Sequence, residues 1–245
     1  MDKTLIPSII SGAVALIAAV IAVIGQLRVK KVEGELDRQR KEAERRAEIE
    51  KTTRRFREPL GRAAYDLQSR IFNIVKIGFL DLYLKNGDRR TRAYATKNTV
   101  FLIAQYFAQA ELVRKEIQYI DLGADDQTRR LSELQDGIYA LWQTDRFGPL
   151  LRIFAGEQRA IGERIIREGT RGPECMGYAS FLDSYKAKPD ALLCALEDEI
   201  MSLGSSLERA RPRLLALQHA LVDLLEFLDP DGVRFPKRAR TKLEA

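Results

Sequence analysis

LIPSIISGAVALIAAVIAVIG, residues 5–25, carries no ionisable side chain. As a helix it spans roughly 31 Å at 1.5 Å per residue, close to the thickness of a bilayer's hydrocarbon core. In lipid only a helix or a closed barrel satisfies the backbone, so the run predicts a transmembrane helix over 5–26. Its flanks are unequal. Asp2 and Lys3 precede it, and Arg28, Lys30, Lys31, Arg38, Arg40, Lys41, Arg45 and Arg46 follow it. The positive-inside rule then leaves residues 1–4 extracytoplasmic and the rest in the cytoplasm, a single-pass arrangement in the inner (cytoplasmic) membrane. The rival reading is a cleaved signal peptide. Its cleavage-like Ala13-Val14-Ala15 falls in the middle of a run longer than an ordinary signal core, so the anchor is the better reading.

Outside the run the charge is unevenly spread. Residues 27–58 are net +4, residues 231–245 net +3, and residues 59–230 net −1. A nucleic-acid binder wants its basic face on the folded domain, so nucleic acid is a poor partner here. Basic flanks suit anionic lipid near the inner leaflet, with Arg28, Lys30 and Lys31 as the lipid-facing cations. The 27–58 segment is a charged helical stalk of strong helix formers. Glu42 with Arg46 and Asp37 with Lys41 are favourable pairs four apart. Val29, Val32, Leu36 and Ala43 hold a heptad rhythm that fails at Arg46 and Glu50, short of a sustained coiled coil. Ser11, Ala15, Ala19 and Ala22 give the span one face of small residues, a surface on which two copies can pair.

Residues 59–230 predict an all-α cytoplasmic bundle of about four to six helices, with a basic C-terminal tail at 231–245. The first core helix is expected to start at Pro59 and to end near Leu84, with Gly87 as a left-handed cap and Asp88 as the next N-cap. Leu60, Ala64, Leu67, Ile71 and Ile74 form one seam, and Phe72, Val75, Phe79 and Leu82 a second. The next helix, Arg89 to about Asp121, is apolar nearly all round at Val100–Ala108 and should be the most buried element. A third carries Leu131, Leu134, Ile138, Leu141 and Trp142 and stops at Phe147-Gly148-Pro149. A fourth, about 149–168, buries Leu150, Phe154, Ile161 and Ile165 and lines up Arg159, Glu163 and Arg167 on its outer face. Gly169–Glu174 reads as a loop. The last helix holds Leu193, Leu196, Ile200, Leu203, Leu207, Ala210, Leu214, Leu217, Leu221, Leu224 and Leu228 in one unbroken heptad phase. Pro212 falls inside that phase and should kink the helix rather than split it.

No phosphate loop, nucleophile elbow or metal-ligand spacing occurs, so neither an enzyme, a cofactor nor a metal is indicated. Cys175 and Cys194 read as small semi-buried thiols, and His219 as exposed, opposite the seam. One polar constellation stands out. Asp66, Arg70 and Asn73 share a face of the first core helix, and Gln105 and Gln109 share a face of the second. Packed as a hairpin, they would form either a register-setting network or a ligand pocket. The whole predicts a bacterial-type, membrane-anchored helical interaction module, a scaffold, sensor or regulator acting on a protein partner or as a homo-oligomer. A membrane enzyme using Asp66, Arg70 and Asn73, and an anionic-lipid or nucleic-acid binder working through the basic flanks, are the alternatives.

Overall fold

A computed structural model describes residues 5–117, 125–170 and 172–244. The side chains of 5–25, 27, 45, 46, 48–55, 116, 117 and 125 lie outside that description. The protein is mostly helical, with one two-stranded sheet. It divides into two compact units, Met1–Glu50 and Lys51–Ala245. The elements are α1 (Leu5–Phe72), α2 (Arg89–Ile117), α3 (Asp125–Gln143), α4 (Ala155–Arg164), β1 (Ile166–Gly169), β2 (Gly172–Cys175), α5 (Tyr178–Ala187) and α6 (Ala191–Leu228).

The first unit is helical. Every side chain described in it is exposed, including Val29, Val32 and Leu36. Glu42 pairs with Arg38 at 3.3 Å; Arg46, the partner expected from the sequence, is outside the described side chains. Among the described residues no helix is long and apolar enough to cross a membrane. The predicted span, and its face of small residues, fall on side chains outside the description.

The second unit is built around α6. Its heptad positions are buried from Leu193 to Leu228, with only Leu207 half-buried. The helix is kinked rather than broken, as its phase predicts. The non-helical residue is Ser206 (φ −130°, ψ 21°), not Pro212 itself. Proline deletes the bond to the carbonyl four residues back and crowds it, so the distortion falls on the preceding turns. Asp190 caps the start, its Oδ1 accepting from Leu192 N at 3.0 Å.

Against α6 lie α2, α3 and α4. The middle of α2 is the most deeply buried stretch, with Val100, Ala104, Tyr106, Phe107 and Ala108 fully enclosed. At Gly162, α4 meets α2 backbone to backbone. A Cβ there would stand 2.8 Å from the carbonyl of Phe107, a separation no side chain tolerates.

Several local expectations need correction. Pro59 does not start a helix; it lies inside α1. The sequence before it is rich in Glu, Lys, Arg and Ala, and one lost hydrogen bond does not end so long a helix. The hairpin to α2 is reached through two π-helical turns, Asn73–Ile77 and Asp81–Lys85. They are separated by Gly78, which is left-handed at φ 76°. Gly78, rather than Gly87, therefore makes the left-handed turn, and Leu82 swings out to 53 % exposure. Asp88 caps α2 as expected, accepting from Thr91 N at 2.7 Å.

The fourth helix is shorter than its sequence suggests, and Phe154 at its N-cap is exposed. β1 and β2 pair as antiparallel strands in place of the expected helix end and loop. Arg167 leaves the helical face to pair across the strands with Glu174 at 3.1 Å. Four-residue strands are too short to show alternation, which is why the sequence did not reveal them.

The tail also differs. Residues 229–244 pack across α1 and α6 as a strap, with Phe235 and Leu243 buried. The Phe235 ring stacks on Tyr65, centroids 5.4 Å apart.

Arg213 ties the C-terminal end of α3 to α6. It is fully buried and its partners are all backbone carbonyls: Leu141 (2.6 Å), Trp142 (2.9 Å), Thr144 (2.9 Å), Gly148 (2.8 Å) and Leu150 (3.0 Å). All five guanidinium N–H groups are thereby used. A lysine has only three donors and no planar fork. Arg213→Lys should cost about 3 kcal/mol of stability, in the range for stranding buried polar groups. Chemical denaturation of purified protein at neutral pH measures this; a loss under about 0.5 kcal/mol would show the carbonyl cluster to be dispensable.

Candidate polar site on the first core helix

Residues 60–71 of α1 present an apolar seam to the core, and the polar stripe beside it carries the predicted site. The structure takes that site apart. Arg70 is buried and faces α2, where its Nη1 donates to Thr99 Oγ1 at 3.0 Å. Its Nη2 donates to Asn98 Oδ1 at 2.6 Å and Tyr94 OH at 3.4 Å. Its guanidinium lies 4.1 Å from the Phe79 ring centroid and 5.4 Å from that of Tyr94. Burial pulls the Arg70 pKa below its ordinary value, with the oxygens of Tyr94 and Tyr178 acting the other way. No carboxylate pairs with it.

Asp66, Asn73, Gln105 and Gln109 make no hydrogen bond to Arg70 or to one another. Asp66 is half-buried, and burial raises its carboxyl above the usual range against the pull of Arg62. Gln105 keeps a buried Oε1 without a protein partner. The reason is register. In an antiparallel pair turning near Leu84, position 70 faces 98, whereas 105 and 109 lie further along α2. Tyr94 and Asn98, four apart on α2, are the signal in the sequence for the true partners of Arg70.

Asn73 belongs to a different place. It borders a cavity of about 220 Å³ between α1 and the strap, with Ser69, Phe72, Arg238 and Thr241 around it. Two buried glutamines hold the strap there by its backbone. Gln68 Nε2 donates to Ala239 O at 2.9 Å and Gln218 Nε2 to Thr241 O at 2.9 Å. Gln218 also bonds Gln68 Oε1 at 3.2 Å and accepts from Leu243 N at 3.1 Å. His219, expected to be exposed, is half-buried and bonds Leu243 O at 2.7 Å.

The head of the strap turns on Asp229. Its carboxylate accepts from Val233 N, Arg234 N and Phe235 N and pairs with the Arg240 guanidinium. Burial alone would raise this carboxyl; the three amides and Arg240 outweigh it and hold it below the ordinary value.

Other chemistry-bearing groups are accounted for within the fold. Tyr185 donates to Glu197, and Thr96 Oγ1 donates to the same carboxylate at 3.2 Å, joining α5, α6 and α2. Cys175 and Cys194 are free, half-buried thiols, and burial pushes Cys175 up to about 12. Among the described residues no group of three or more His, Cys, Asp or Glu could hold a metal ion. Arg28, Lys30 and Lys31 are exposed. No family model, curated protein or solved structure matches this chain.

Asp66 gives a pH test of these environments. A carboxyl raised in the folded state opposes folding wherever the unfolded chain would be ionised, and that penalty fades as pH falls below the ordinary value of 3.8. Asp66→Asn removes it at nearly constant volume. Tm should rise by about 1–3 °C at pH 7, and the difference from native protein should close as pH drops toward 3. A variant less stable than native at pH 7 would show that the Asp66 carboxylate is held by contacts rather than tolerated.

Proposed function

We propose that the chain is a single-pass membrane protein whose cytoplasmic helical body works by association, as a scaffold, sensor or regulator, and that it associates first with a second copy of itself. One observation carries this reading. Val29, Val32 and Leu36, spaced three and four apart, stand 56 %, 59 % and 49 % exposed on α1, and the described side chains around them are exposed too. An apolar stripe at heptad spacing on a charged helix is a pairing surface without its partner.

The occupant follows from the apolar run at 5–25. Two copies anchored by that run point the same way and hold Val29 at the same depth, so their stripes meet in parallel register. The heptad rhythm covers only about two turns, too little for a stable free coiled coil. Confinement to one membrane raises the effective concentration and makes so short a seam sufficient. Arg28, Lys30 and Lys31 lie beside the stripe and suit contact with anionic headgroups.

The test uses Val32→Cys in a chain with Cys175→Ser and Cys194→Ser. In native membranes, mild oxidation should give a disulfide dimer, and adding Val29→Glu and Leu36→Glu should cut its yield at least fivefold. Removing 5–25 should move the protein from the membrane pellet to the supernatant. A full-length protein found in the supernatant sinks the anchor. A membrane-bound protein that gives only monomer sinks the pairing.

A further inference from the structure

Five basic side chains lie on the strap, and three of them are neutralised. Arg234 pairs with Glu58, Arg240 with Asp229, and Lys242 with Asp223 at 2.5 Å. Among the described residues Arg238 has no acidic partner and no hydrogen bond. It stands at the 220 Å³ cavity between the strap and α1. The Asn73 side-chain amide, on the same cavity, likewise has no partner among the described residues. Ser69 Oγ accepts from Gln68 Nε2 at 2.9 Å, which leaves its own O–H free to donate. Phe72 supplies an aromatic wall, and no carboxylate lines the space.

We propose that this cavity is a binding site for a small carboxylate with a flat apolar body. The chemistry is selective in three ways. A guanidinium beside amide and hydroxyl donors, with no competing acid, is set up for an oxyanion, and its planar fork matches a carboxylate. The Phe72 wall favours an apolar body behind that group. The volume falls below the roughly 300–1,000 Å³ of drug-sized sites, so a nucleotide does not fit.

The strap completes the site. Gln68 holds the Ala239 carbonyl after Arg238, and Asp229 accepts from the Val233, Arg234 and Phe235 amides before it, so the backbone on either side of Arg238 is held. When the strap leaves, the site loses one wall and its cation. A ligand here therefore binds only the docked form and holds the strap closed by mass action.

Sodium benzoate is the probe, with sodium phosphate as a tetrahedral anion of similar charge, both titrated calorimetrically into full-length protein in detergent at matched ionic strength. Benzoate should bind saturably. Arg238→Ala should weaken it about tenfold or more, Asn73→Ala severalfold, and Arg238→Lys should recover only part of the loss. Arg238 is exposed and unpaired, so these variants should keep the native Tm without ligand. Hydrogen exchange across 239–243 should slow when benzoate is added. The proposal is overturned by no saturable benzoate binding up to 10 mM, a concentration roughly tenfold above the weakest Kd that would matter for such a site. Affinity unchanged in Arg238→Ala, or binding of phosphate in preference to benzoate, overturns it equally.

Discussion

The fully buried guanidinium of Arg213 organises much of the second unit. Arg213 makes no hydrogen bond to a carboxylate among the described residues; its five N–H groups go to carbonyls at the end of α3 and along the connection that follows. The C-terminal end of a helix carries partial negative charge and unpaired carbonyls, and a guanidinium answers both at once. Two things follow from that one contact. The end of α3 is fixed to the middle of α6. The connection from Thr144 to Leu150 is folded inward. Leu151, forced to φ 53°, stays buried because Glu199 Oε2 accepts from its amide at 3.0 Å. Burial lowers the Arg213 pKa without discharging it, since an arginine remains protonated throughout the accessible range.

The same economy recurs at Arg70, Gln68 and Gln218. In each case a buried polar side chain satisfies neutral partners on a neighbouring element. Arg70 holds α2 through hydroxyls and an amide. The two glutamines read the backbone of the strap as a neighbouring strand would. Such contacts fix register with little net energy, because each replaces a bond to water. Their loss is costly, because the partner stays buried. Basic residues that looked like a solvated flank therefore divide in two: those engaged in holding the strap, and those left free at its surface.

Much of this was readable in the residues. The heptad phase of α6, the apolar middle of α2 and the Asp88 cap all depend on local spacing, and local spacing survives in a sequence. Asp66, Arg70, Asn73, Gln105 and Gln109 were grouped by face alone, and face does not determine the register between two helices. Gly78 shifted the hairpin by adding a turn that the apolar rhythm conceals. Nothing in the sequence marks Arg213, because carbonyl partners leave no trace in side-chain identity. The strap was hidden by its composition. Its few apolar residues are scattered among five cations, and of them only Phe235 and Leu243 are buried.

The backbone contact at Gly162 reaches beyond this chain. Helices that touch main chain to main chain leave room for nothing but hydrogen, so drift at that position is barred while the surrounding apolar residues can exchange freely. Arg213 is constrained in the same sense, since no other side chain carries five donors in one plane. A glycine opposite an α2 aromatic, followed some fifty residues later by a Pro-Arg dipeptide within a leucine heptad, is thus a signature. Relatives too diverged for overall similarity would still carry it.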